Sequence, residues 1–468
     1  MDHDAAKEVL TQVVIGDMVE GGRCIARVGS LVLFVTQVAP GDVADLRIIS
    51  KKKNYAEAVP VYIHRASHTR VQPFCQHFEV CGGCQWQHVS YAAQLAAKQR
   101  LVLEKLVHIG HLQSPRVAPI LAAESTEYYR NKLEFTFSNN RWLSTTEIED
   151  HAQLDRRALG FHKPGYFDKV VDIEHCYLQP APSNVIRTTL AQFAKAHNLS
   201  FYDLHQKDGL LRNLIIRTTT KGEVMVLVQF GQAVTDKIEQ VMHHLQTQFP
   251  GLTSLQYVVN TKKNETFYDL PVYLYHGQSF ITEHIGDLQF RIGPKSFFQT
   301  NTAQTQVLYR KIQALADLRD DEIVYDLYTG VGSIAIFLAQ HARHIVGIDV
   351  TEAAIADAQT NAGINNVVNT TFVAGAVERL LDKQFLSTYG KPHVIVTDPP
   401  RAGMHQKVIE QLLNIAPERI VYVSCNPATQ ARDIALLSEK YQLVTAQPID
   451  MFPHTHHVEN IVLLTKRL

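Results

Sequence analysis

Several residues in this 468-residue chain are of a type and spacing that could do chemistry. Cys425 stands in Ser424-Cys425-Asn426-Pro427, directly after an apolar run at 420–423. A lone cysteine is ordinarily a small buried hydrophobe. At a strand's C-terminal end, beside polar residues and a proline, it is instead placed as a nucleophile, because thiolate is the strongest nucleophile available near neutral pH. Asp398 opens Asp398-Pro399-Pro400-Arg401-Ala402-Gly403 after another strand-like run, 394–397. Rigid prolines there hold a carboxylate at the crevice where α/β sheets bind ligands. A third run, Asp326-Leu327-Tyr328-Thr329-Gly330-Val331-Gly332-Ser333, carries a glycine pair that lets a ligand approach the backbone closely. Asp349 ends the next strand, where a carboxylate binds the two hydroxyls of a ribose. Ala335 and Ile336 occupy the place of the third glycine of the dinucleotide fingerprint, which favours S-adenosylmethionine over a nicotinamide dinucleotide.

A separate group is Cys75, Cys81 and Cys84, with Cys176 farther along. Three close cysteines and a distant fourth suit either zinc or a cubane iron–sulfur cluster. The spacing, five residues and then two, differs from the C-x3-C-x2-C triplet of radical enzymes. Six cysteines in a chain expected in the cytosol do not argue for a disulfide framework, and Cys24 reads as barrel packing. His454, His456 and His457 have no metal-ligand partner in their motif and read as shaping the backbone beside Glu459.

These groups need elements to position them. The chain has 45 Lys+Arg against 46 Asp+Glu, 46% hydrophobic and 19% charged residues, which fits a soluble chain of several domains. A net charge of −1 excludes nucleic-acid binding through overall basicity, but not through a local surface. Arg47, Lys51, Lys52, Lys53, Arg65 and Arg70 stand against Glu57 alone, either as an RNA-facing patch or as a lysine-protected strand edge. Short strands over 13–64 (25–28, 31–35, 43–49 and 55–63, with turns at Gly29-Ser30 and Pro40-Gly41-Asp42) predict a small OB-like β-barrel. Leu95, Val102, Leu106 and Ile109 predict a helix over 92–109, with Ser90 as cap and Gly110 as stop. Strand-like runs over 126–290 predict a mixed α+β region. After Ser296, strands alternate with helical stretches, the mark of a parallel α/β domain. The expected domains are therefore 1–64, 65–290 and 291–468, with the 91–110 helix free to pack on the last. No apolar run reaches the roughly 18 residues of a membrane span, and the acidic N-terminus lacks a signal peptide's pattern. A cytoplasmic protein with no membrane partner is expected.

The run Ser296-Phe297-Phe298-Gln299, the DLYTGVGS loop, DPPRAG, SCNP and His457-Val458-Glu459 resemble, in order and spacing, the RNA uracil-5-methyltransferases. Cys75-x5-Cys81-Gly82-Gly83-Cys84 with Cys176 is similar to the iron–sulfur subfamily that methylates ribosomal RNA. The resemblance covers nearly the whole chain. It implies a TRAM-type barrel, a central domain with a [4Fe-4S] cluster on Cys75, Cys81, Cys84 and Cys176, and a Rossmann-like S-adenosylmethionine domain.

The implied reaction makes the residue types intelligible. Carbon 5 of uracil is too weak a nucleophile to attack a sulfonium methyl until a thiolate adds to carbon 6. Cys425 is that thiolate, Glu459 is by resemblance the base that removes the carbon-5 proton, and Asp398 binds the uracil edge or positions the loop. Gln299, Tyr328, Gly330, Gly332, Asp349 and Asp398 match positions that contact cofactor or target. Arg130, Asn131 and Lys132 are the expected RNA contacts. A target base inside folded RNA must be unstacked, so an aromatic platform or a flipped base is expected. Two departures stand out: Asp349 replaces a glutamate common in relatives, and Ala376 replaces an adenine-contacting Asp or Asn, leaving a backbone group or Glu378 to serve. The expected substrate is 23S ribosomal RNA and the expected state a monomer. Transfer RNA, or an exocyclic amine reached through the Pro-Pro loop, is the alternative.

Overall fold

The computed structural model describes residues 8–149 and 154–467. Buried and exposed side chains alternate along Arg23–Val28 and Val43–Lys51, the period of a strand with one face on a core. Five strands close a barrel in the order Val9–Val19, Arg23–Val28, Leu31–Val35, Tyr55–Arg65, Val43–Lys51. Its interior is narrow and filled by small residues, with Ala26, Ala44, Ala56 and Ala58 beside Leu33, Val35 and Leu46. The opening strand starts earlier than residue 13 because the alternation is broken there: Gln12 takes a positive φ of 51° and the pairing register shifts between Leu10 and Val13. Trp86, Val89 and Ala97, from outside the barrel, complete its core.

The helix Tyr91–His108 lies within a residue of its expected span, although the Ser90 side chain makes no capping bond. Its Leu101, Val102 and Leu106 are buried in one cluster with Leu327, Val346 and Tyr422 of the C-terminal sheet. The central region is a seven-stranded sheet in the order Val272–Gly277, Ser254–Val259, Val224–Phe230, Leu211–Thr218, Lys132–Ser138, Ala158–His162, Val170–Asp172. Two helices, Ser183–Ala196 and Thr235–Gln248, bury Ile186, Leu190, Val241 and Leu245 against Phe135, Leu214 and Val226.

The hairpin Ile281–Ile285 and Leu288–Ile292 places Ile281 and Phe290 on Leu308 and Ile312 of the helix Thr302–Ala316. The C-terminal sheet then runs Thr370–Ala374, His344–Asp349, Ile323–Leu327, Val394–Thr397, Arg419–Ser424, Glu459–Lys466, Tyr441–Ile449. The first five strands are parallel, and Glu459–Lys466 inserts antiparallel beside Arg419–Ser424. Parallel strands covered on both faces are nearly continuous apolar runs, and Val394–Thr397 is buried at every position. Among the described residues no helix is long and apolar enough to cross a membrane.

Candidate active site

The topology gathers the residues of interest at one end of the C-terminal sheet. Asp326, Asp349, Asp398 and Cys425 lie at or just past the carboxyl ends of adjacent or nearby strands. Glu459 arrives from the opposite direction, as the first residue of the antiparallel strand. The register pairs Ser424 with Asn460, so one step outward along both strands brings Cys425 and Glu459 to the same rim.

The glycine loop is built for a ligand. Gly330 has a φ of 55°, and a Cβ there would meet nothing within 4 Å, so the backbone borders open space. At Gly332 a side chain would strike Ala358 and Phe372 at 2.9 Å, which restricts the position to glycine for packing as well as for its φ of 76°. Asp349 is pre-set by two backbone donors, Gly330 N–H at 3.0 Å and Thr351 N–H at 2.8 Å. A carboxylate has about four lone-pair sites, so ribose hydroxyls can still be accepted. Asp326 accepts from Thr329 Oγ1 on one oxygen, and its other oxygen is buried without a partner. Burial, then the nearby Asp398 and Asp349, push its carboxyl up to about 7. Such an orphaned acceptor in a ligand crevice suits a donor on a bound molecule. Tyr328 holds a left-handed φ of 64° at the turn. Ala376 precedes the short helix Val377–Leu380, whose Glu378 is in its first turn.

Gln299 is joined to the central sheet: the Asn131 amide donates to Gln299 O at 2.9 Å and to Thr302 Oγ1 at 2.9 Å. Asn131 is thus a tie between domains. Lys132 opens the strand Lys132–Ser138, where burial and the neighbouring Arg217 hold its ammonium below the usual range. Arg130 sits over the Phe452 ring at 5.4 Å, with its buried Nε unpaired. Phe297, not singled out by sequence, is a large aromatic at 71% exposure beside Gln299. The signal was available: one phenylalanine of the Phe297-Phe298 pair can face the core, as Phe298 does at 4%, and the other then cannot.

The two loops around Cys425 are bolted together. Asn426 caps the helix Pro427–Leu437 by accepting from Ala428 N–H, while its amide donates to Arg401 O at 3.0 Å. Thr429 Oγ1 donates to the same carbonyl at 3.2 Å. Burial, then Glu459 and Asp398, push the Cys425 thiol up to about 11, against the pull of the Arg401 guanidinium. Glu459 is buried and held well above the carboxylate range by burial and by the neighbouring Asp398. Burial likewise raises Asp398, so the two carboxyls resist ionising together.

Cys75, Cys81, Cys84 and Cys176 line one small, partly open pocket of about 30 Å³, together with Phe78, Phe161, Ile173, Tyr177 and Leu178. Burial first, and the facing thiols among the further causes, push Cys81 and Cys84 up to about 12. Gly83 N–H donates to Cys81 Sγ at 3.3 Å. Among the described residues no group of three or more His, Cys, Asp or Glu side chains is arranged to hold a metal ion. Cys24 is a buried barrel residue, 2% exposed.

The tRNA (Uracil-5-)-methyltransferase family matches residues 190–467. A Bacteroides thetaiotaomicron protein named as an uncharacterized RNA methyltransferase is 49% identical over 96% of this chain and 100% of its own length. A Porphyromonas gingivalis protein of the same description is 47% identical, covering 97% and 99%. The solved Pyrococcus abyssi tRNA (uracil-54, C5)-methyltransferase, in complex with S-adenosyl-L-homocysteine, superimposes with a TM-score of 0.74 at 27% identity, covering 97% of this chain and all of that one. By the family match, these relatives and the shared fold, this chain belongs to the RNA uracil-5-methyltransferase family and is an S-adenosylmethionine-dependent RNA methyltransferase.

Proposed function

We propose that this enzyme methylates carbon 5 of a uridine in 23S ribosomal RNA through a covalent cysteine adduct. The observation that carries the mechanism is the convergence of Cys425, Glu459 and Asp398 on one rim of the sheet. Cys425 gives its proton to solvent and adds to uracil C6, and the C5=C6 electrons move onto the ring as an enolate. Carbon 5 then takes the methyl group from the donor's sulfonium, which departs as a neutral thioether. Glu459 removes the C5 proton, C5=C6 re-forms and the Cys425 thiolate leaves. Burial and mutual repulsion favour one protonated and one ionised carboxyl, so one can donate a hydrogen bond to the uracil edge and the other, Glu459, accept a proton later. Gln299, Tyr328, Gly330, Gly332 and Asp349 border the methyl donor. Arg130 and Lys132 are the RNA contacts at the start of the central sheet, flanking Asn131 whose amide ties the domains together, with Phe297 as an exposed aromatic for an unstacked base, and the barrel is a TRAM-type RNA-binding module.

Four thiols around one apolar cavity fit a [4Fe-4S] cluster in kind and number. Zinc would need sulfurs within about 4 Å of each other, given Zn–S bonds near 2.3 Å. What supports the cluster on Cys75, Cys81, Cys84 and Cys176 is that all four thiols line this one apolar pocket. When bound it would supply a cross-link between the cysteine loop and the central domain.

A second reading, a transfer RNA substrate, is favoured by the full-length likeness to the Pyrococcus abyssi enzyme. Mass-spectrometric mapping of 5-methyluridine in a strain lacking the gene decides. Loss at a 23S uridine, restored by the wild type, is expected. Loss only in transfer RNA overturns the ribosomal substrate, and loss nowhere overturns the uridine reading.

A further inference from the structure

We infer that the cysteine loop and the Tyr91–His108 helix act as a clamp on the segment 450–458, and that Gln94 and Gln85 are positioning residues for Glu459. This rests on the proposed role of Glu459 as the base. The segment leads straight into Glu459, yet it has no regular structure of its own between Ile449 and Glu459. Its centre, His454, is in the left-handed region at a φ of 65°, which a residue with a Cβ keeps only when its surroundings over-determine it. The surroundings here are specific. The backbone N–H groups of Gln85 and Trp86, the two residues after Cys84, both donate to His454 O, at 2.8 and 3.0 Å. Gln94 Oε1 accepts from His454 N–H at 2.9 Å, while its buried amide donates to Trp86 O and Val89 O. One side chain therefore binds the strained turn and the cysteine loop together.

Neighbouring bonds extend the clamp in both directions. Gln85 Oε1 meets His456 Nδ1 at 2.7 Å, three residues from Glu459. Lys98, fully buried, donates to Asp450 Oδ1 at 2.6 Å and to Phe452 O at 3.0 Å. Tyr129, Asn301 and Gln304 donate to the carbonyls of Pro453, Met451 and Asp450. The bonds at His454 and His456 come from the stretch between the third cysteine and Gln94. The cysteine site is thereby wired to the segment that leads into the base. Disturbing it should slow the proton-removal step and leave thiol addition and methyl transfer intact.

The test compares Gln94→Ala, Gln85→Ala and Glu459→Gln on RNA carrying uridine or 5-fluorouridine, in which a fluorine in place of the C5 proton blocks elimination. On uridine RNA, Gln94→Ala should accumulate a methylated covalent adduct on denaturing gels, with kcat down at least tenfold and KM within about twofold. On 5-fluorouridine RNA it should form adduct as fast as wild type. Gln85→Ala, which keeps the backbone donors, should show the same pattern more weakly. His454→Gly, which relieves the left-handed turn, should partly restore turnover to Gln94→Ala. Hydrogen exchange of 450–458 in the free protein should rise in Gln94→Ala and in Cys84→Ser, a readout that needs no catalysis. Slow adduct formation on 5-fluorouridine RNA, raised KM without adduct, or unchanged exchange overturns the clamp. If Glu459→Gln itself traps no adduct, the base assignment has failed, and the exchange measurement still decides the clamp.

Discussion

Two sites in this molecule bury cysteines, and they bury them to different ends. In the central cavity Cys81 and Cys84 are driven up to about 12 by burial, and their further neighbours include other thiols. In the crevice Cys425 is driven up to about 11 by burial and two carboxyls, with Arg401 pulling the other way. Burial alone does not distinguish a ligand from a nucleophile, since Cys24 in the barrel core is also pushed to about 12. What faces the sulfur does. Thiols facing thiols around a hollow invite a metal group that takes their protons. A thiol facing carboxyls and an arginine, at the open end of a sheet, has a proton acceptor and a counter-charge ready for a reaction.

The comparison breaks most visibly if the sites can be exchanged in function. Cys425→Ala should abolish methylation, on the order of 10⁴-fold or more, as removal of a catalytic nucleophile does. Its iron content and melting temperature should match wild type. Measurable 5-methyluridine from this variant, at even a tenth of the wild-type rate, would sink the nucleophile assignment.

Glu459→Gln is next in size. Loss of a general base costs about 10²–10⁴-fold. The loss should fall on product release from the protein, seen as a covalent RNA adduct, and not on binding. Turnover within threefold of wild type would move the base elsewhere on the rim, with Asp398 the first alternative.

The placement of Asp349, Asp398 and Cys425 was legible in the sequence, because each ends or directly follows a strand, and the loops there carry local punctuation: glycines at 330 and 332, prolines at 399, 400 and 427. Strand boundaries in the parallel sheet follow from apolar runs, and four strands, read at 323–327, 344–348, 394–397 and 420–423, lay there or within a residue. What the chain did not display were relations between distant segments. Nothing near Asn131 announces that its amide holds Gln299, and nothing in Gln94 announces His454. The helices Ser183–Ala196 and Thr235–Gln248 were hidden for another reason: they lie among strands, and each presents only a single apolar stripe, Ile186 and Leu190 in one and Val241 and Leu245 in the other. The Lys98–Asp450 pair was equally invisible, since a lysine in a helix reads as solvated until a buried partner is found.

In the cavity the expected effect is smaller and of another kind. Cys84→Ser should lower the iron retained on anaerobic purification and bleach the broad visible absorption of an iron–sulfur group. Metal binding is folding free energy, so the melting temperature should fall by a few degrees. Iron content equal to wild type, or a colourless wild-type protein that binds zinc stoichiometrically, would remove the cluster and leave the four thiols as a zinc site or as packing.

The smallest effect tests the electrostatics that separate the two sites. Alkylation by iodoacetamide proceeds through the thiolate, so the rate at Cys425, read by mass spectrometry of its peptide, follows the ionised fraction. With the thiol held up near 11, that fraction rises about tenfold per pH unit between roughly pH 7 and 10, without the plateau an ordinary cysteine reaches near 9. Arg401 is the group that favours the anion, so Arg401→Gln should raise the thiol further and slow alkylation several-fold at every pH in that range. The curve should move to higher pH and keep its slope. Cys81 and Cys84 should not respond, because Arg401 is not among the groups that act on them. A faster reaction in Arg401→Gln would show that the guanidinium shields the sulfur more than it charges it. The counter-charge would then have to come from the RNA-bound state, where closing the crevice strengthens every charge interaction that remains.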